Sequence, residues 1–116
     1  MALIKSCLKG AGDAFQPSAG YYVNRETSDT TLYAFPASET GTNFGLIGNV
    51  SGFTSMTYND GGGYPVVKGV KNDGTVVVLE DGNTGVNTKT YDITGFDLII
   101  ILSSSQSSKT RTVSVA

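Results

Sequence analysis

The sequence predicts an all-β protein: a single domain over residues 1–116, built as an antiparallel β-sandwich of about seven or eight short strands, jelly-roll or immunoglobulin-like in type. An open barrel is the second architecture. Three observations carry the expectation. Val, Ile, Thr, Tyr and Phe recur throughout, helix formers are scarce, and 15 of the 116 residues are glycine; that mixture favours pleated sheet. Turn signals such as Asn72-Asp73-Gly74 and Asp81-Gly82-Asn83 separate the apolar runs. Finally, residues 98–102 read Leu-Ile-Ile-Ile-Leu. Successive side chains of a strand point to opposite faces, so this run needs cover on both sides of its sheet. One cover is the second sheet of a sandwich; the other is a loop, a neighbouring chain or a larger assembly.

The elements follow in order. Residues 1–12 form an N-terminal arm or edge strand, because Gly10 and Gly12 end any helical turn begun by Leu3, Ile4, Cys7 and Leu8. Residues 20–27 and 31–35 read as a hairpin about Ser28-Asp29-Thr30, closed by Pro36, which cannot donate to a ladder. Residues 38–42 read as loop. Glycines recur between Asn43 and Phe53, which signals bulges or close backbone approach rather than a clean strand. Asn59-Asp60-Gly61-Gly62-Gly63 reads as a loop tip. The clearest hairpin joins residues 65–70 to 75–79 through Asp73-Gly74, and Glu80 and Asp81 mark its solvated end. After the aliphatic run, the serine-rich residues 103–108 read as loop. In the last strand Arg111, Val113 and Val115 share one face, and Thr110, Thr112 and Ser114 the other. Val50-Ser51-Gly52-Phe53 echoes Ile93-Thr94-Gly95-Phe96, as two equivalent corner turns of one fold would.

Composition restricts the chemistry. The chain has no histidine, which removes the usual general base near neutral pH and the commonest zinc ligand. Cys7 is the sole cysteine, so no disulfide framework or thiolate metal site forms, and a buried small hydrophobe is its expected role. Asp92 and Asp97 read as turn caps rather than a catalytic pair, and the Asn/Asp/Gly turns lack the acidic spacing of a calcium loop. No enzyme, cofactor or metal site is therefore expected. The 8 basic residues do not cluster and the net charge is −2, which argues against nucleic acid as a partner. No stretch reaches a membrane span, and Lys5 and Lys9 interrupt any signal-peptide core. Asn49-Val50-Ser51 fits the glycosylation pattern, but without a leader it is read as a chance match. Tyr21, Tyr22, Tyr33, Tyr58 and Tyr64 would suit either the edge of a core or a platform for stacking sugars.

The stretch Tyr91-Asp92-Ile93-Thr94-Gly95-Phe96, the aliphatic run behind it, the serine segment and the closing Thr/Val strand resemble the end of small β-sandwich accessory proteins of tailed bacteriophages. The likeness covers the last quarter of the chain. The glycine- and threonine-rich remainder is similar to phage head-decoration and tail proteins. The resemblance implies a non-enzymatic structural protein on the virion surface, made in the host cytoplasm. It would decorate or stabilise the capsid or tail by self-association, commonly as a trimer, and by binding other virion proteins. The expected contact residues are Leu3, Ile4, Leu98, Ile100, Leu102, Tyr58 and Tyr64. The alternative is a carbohydrate-binding or host-receptor adhesion module, with glycans as partners of Tyr58 and Tyr64.

Overall fold

The computed structural model describes residues 17–26 and 31–116; the expected arm at 1–12, with Leu3, Ile4 and Cys7, lies outside them. Eight antiparallel strands form one continuous sheet: β1 (Tyr21–Asn24), β2 (Tyr33–Ala34), β3 (Ala37–Asn49), β4 (Ser55–Gly63), β5 (Val66–Lys71), β6 (Val76–Asp81), β7 (Val86–Asp92) and β8 (Phe96–Val115). No helix occurs among the described residues.

β8 is the axis of the sheet. Along one side it pairs with β3 over nearly its whole length. Along the other, its first half pairs with β5 and its second half with β4. The sheet thus has an upper half, ordered β2-β1-β3-β8-β5-β6, and a lower half, ordered β3-β8-β4-β7. Inward residues of both halves meet in one core. Tyr22, Leu46, Val67, Ile99 and Ile101 come from above, and Ala37, Met56, Tyr58, Tyr91 and Val113 from below. The fold is sandwich-like, with both layers drawn from a sheet that bends over itself.

The bend has a local cause. Between Gly41 and Asn43 the β3–β8 register jumps: Gly41 lies opposite Lys109 and Asn43 opposite Ser104. β8 therefore carries extra residues, 105–108, that its partner does not match. The serine-rich segment expected as a loop is this bulge inside a strand of 20 residues. A bulge of this kind leaves ladder groups unpaired and sharpens the local twist.

Two other expected loops are strand. Residues 38–42 belong to β3 because Ser38 and Thr40 alternate outward opposite Thr112 and Thr110, and cross-strand hydroxyl pairs such as Thr40–Thr110, 2.7 Å apart, favour pairing. Residues 59–63 belong to β4, where the register shifts again between Asn59 and Gly63. Gly61 and Gly62 adopt φ of +69° and +92°, which side chains rarely tolerate.

The expected hairpins are present. β1 pairs with β2 and β5 with β6, the latter around Gly74 at φ +90°. The echo is likewise structural. Phe53 N–H donates to Val50 O at 3.0 Å and Phe96 N–H to Ile93 O at 3.1 Å, with Gly52 and Gly95 at φ +88° and +86°. In each turn a side chain at its start, Asn49 or Asp92, accepts from the backbone N–H two residues on. Gly48 and Gly69 mark close approach: a Cβ on Gly48 would stand 2.5 Å from Phe35, and one on Gly69 would stand 2.7 Å from the Phe96 ring.

The outer face of the upper half is apolar too. Val23, Ile47, Val70, Leu98 and Ile100 form a second buried cluster there. Leu98 and Ile100 are 0% and 3% exposed, so over residues 98–101 both faces of the aliphatic run are enclosed, and only its last residue, Leu102, is exposed. The expectation that Leu98 and Ile100 present a surface to a partner is corrected.

Candidate functional site

Where the sheet bends, the bulges of β4 and β8 lie side by side, and Lys109 Nζ of β8 donates to Gly61 O of β4 at 3.1 Å. Beneath them sits a buried polar cluster. Arg111, on the same inward face as Val113, is fully buried, as is Asp60. The guanidinium donates from Nε to Asp60 Oδ1 at 3.2 Å, from one terminal nitrogen to Gly41 O at 3.1 Å, and from the other towards Ser105 Oγ at 3.4 Å. Two of these acceptors, Gly41 and Ser105, flank the gap in the β3–β8 ladder. One side chain therefore supplies donors where the backbone does not, and its charge is offset by a carboxylate from the facing bulge.

The Tyr58 hydroxyl donates to the same Asp60 oxygen. Tyr58 is fully buried in the core, with its ring stacked 6.1 Å from that of Phe44. It cannot be the exposed sugar or partner contact expected of it: alternation along β4 sets Met56, Tyr58 and Asp60 on the inward face. The other carboxylate oxygen, Oδ2, and the hydroxyl of Ser103 are buried without a hydrogen-bond partner. Gly63 separates them, since a Cβ there would strike Asp60 and stand 3.6 Å from Ser103 Oγ.

A second buried carboxylate closes the open side between the halves. Glu80 of β6, expected at a solvated hairpin end, is only 5% exposed. Its Oε1 accepts from Lys89 Nζ at 2.6 Å and from the Tyr91 hydroxyl at 2.9 Å, both from β7. Lys89 also stands 5.1 Å above the Tyr91 ring. The exposed Asp92 is a cap, as expected: it accepts from Thr94 N–H, and this bond holds its carboxyl below the usual range. Asp97 accepts from Ser51 Oγ at 3.0 Å, bridging the two equivalent corners. Asn49 is buried and donates to Pro17 O, so the sequon asparagine is enclosed on the outer face.

Burial, then a hydrogen bond to Asp60, pushes the Tyr58 hydroxyl well above its ordinary pKa; burial and Glu80 do the same to Tyr91. The unfolded chain ionises these tyrosines first, near pH 10. Their contribution is complete below that pH and is lost as pH rises above it. Melting temperatures measured from pH 8 to 12 should fall steeply beyond about pH 10, and Tyr58→Phe with Tyr91→Phe should flatten the decline. An unchanged profile in the double variant would refute the assignment.

Beside the buried cluster the surface opens into a groove of about 390 Å³. It forms at the end of the upper half, where Asn43 and Phe44 lie opposite Ser104 and Ser103, and Leu102 lies opposite Val66. Tyr64 stands at its rim, 64% exposed, and Glu26 borders it from beyond β1. Of the expected contact residues, Leu102 and Tyr64 are thus brought together in one exposed place. No family model, curated protein or solved structure matches this chain. Its geometry has to carry any functional reading.

The buried ion pair is what the sequence reading missed. Its signal was present: an arginine on the inward face of an alternating strand, beside Val113 and Val115, requires a buried carboxylate. Asp60 shares parity with Met56 and Tyr58, which places it inward. Among the described residues no group of three His, Cys, Asp or Glu side chains converges to hold a metal ion.

Proposed function

We propose that the chain is a non-enzymatic structural protein that decorates or stabilises a bacteriophage capsid or tail, binding a second copy of itself and neighbouring virion proteins. The phage setting rests on the resemblance of the C-terminal quarter. The observation that supports association is the apolar margin of the upper half. Val76, Val78, Leu102 and Tyr64 are large exposed hydrophobics, and Leu102 and Val78 flank β5 on the same outward face through Val66 and Lys68. Among the described residues β6 pairs with β5 alone, which leaves its other edge open to them. Natural sheets usually protect such an edge with lysine or proline. Val76-Val77-Val78 carries neither, although a bulge at Leu79 limits the regular stretch to these residues.

The occupant we favour is a second β6 laid antiparallel across a two-fold axis. In that arrangement the valines of the two strands cover one another. Burying apolar surface gains about 25 cal/mol per Å², and the two aliphatic rows supply it.

The test is mass by light scattering from micromolar to millimolar concentration. The wild type should give a multiple of the chain mass, and Val76→Lys with Val78→Lys should give the single-chain mass with an unchanged circular dichroism spectrum. A wild type that stays monomeric throughout, or a double variant that keeps the multiple, would overturn self-association.

A further inference from the structure

We infer that the groove between Tyr64 and Ser104 is a binding site for a neutral saccharide, a reading independent of self-association through β6. Its size falls in the range of small-molecule sites, about 300–1,000 Å³. The lining fits a sugar better than other ligands. Among the described residues no lysine or arginine borders the groove, so none of them attracts a phosphate, sulfate or sialic acid carboxylate. Glu26 is the sole acidic residue among the described lining, too few oxygen ligands for a calcium ion. A purely apolar ligand would leave Glu26, Asn43 and Ser104 unpaired, at a cost in affinity.

A pyranose has an apolar face and a rim of hydroxyls, and this groove offers both complements. Tyr64 presents a ring with a polar tip, and Val66 and Leu102 continue the apolar wall. The ring is pre-positioned, because a Cβ at Gly85 would touch it at 3.7 Å and Pro65 follows it directly. Opposite stand Asn43 and Ser104, with Glu26 able to accept from two adjacent hydroxyls.

The experiment is an array of glycans ending in glucose, galactose, mannose or N-acetylglucosamine, with sialylated and sulfated glycans as the comparison arm. The wild type should hold at least one neutral glycan above background and prefer neutral to acidic ends. Tyr64→Ala and Ser104→Ala should each weaken that binding by about tenfold, while Val76→Lys with Val78→Lys should bind as the wild type does. Tyr64 and Ser104 are exposed, so their replacement leaves the fold intact. No retained neutral glycan, a preference for acidic ones, or binding indifferent to Tyr64→Ala would overturn the inference.

Discussion

Replacing Arg111 by leucine should destabilise the fold by about 3–5 kcal/mol in urea titration, because it leaves the Asp60 carboxylate buried without its counter-charge. The side chain is fully enclosed and spans the break in the β3–β8 ladder, so water cannot readily take its place. The loss should also reach Tyr58, whose hydroxyl shares the same carboxylate oxygen. The double replacement Asp60→Leu with Arg111→Met removes both charges together and should cost less than the single one, as paired deletions of buried ions do. An Arg111→Leu protein within about 1 kcal/mol of wild type would show that the pair is not an internal brace, since exposed pairs are worth no more than that.

Ile100→Ala should cost about 2–5 kcal/mol, the range for truncating an enclosed aliphatic side chain, and leave the oligomeric mass unaltered. Ile100 points away from the main core, towards Val23, Ile47, Val70 and Leu98. On a face covered only by assembly, truncation would weaken association and spare the single chain. The two outcomes separate cleanly when urea titration and light scattering are run on the same samples. A small stability change with a fall in mass would mean that this face is closed by a neighbour.

Much of the architecture could be read from residue pattern. Asp73-Gly74 marked its hairpin because few residue pairs accept the backbone angles of a tight turn. The matching corners at Gly52 and Gly95 were visible for the same reason. The faces of Arg111, Val113 and Val115 against Thr110, Thr112 and Ser114 followed from simple alternation. What misled was glycine and serine. In residues 59–63 and 103–108 these residues resemble a loop, yet here they permit bulges within strands whose neighbours hold them by long-range pairing. Propensity is local, and pairing is not. The groove was partly legible: Tyr64 and Leu102 were expected at a surface, but what brings them together is the pairing of Leu102 with Val66. Tyr58 could not be told from Tyr64 by type alone, since parity relative to a bulge decides which one faces inward.

The placement of β8 has a consequence for synthesis. The strand that every larger part of the sheet leans on is translated after β3, β4 and β5, so those strands emerge from the ribosome before their common neighbour exists. Until residue 115 has cleared the exit tunnel, the nascent polypeptide holds three half-matched strands with unsatisfied edges, the kind of species on which chaperones act.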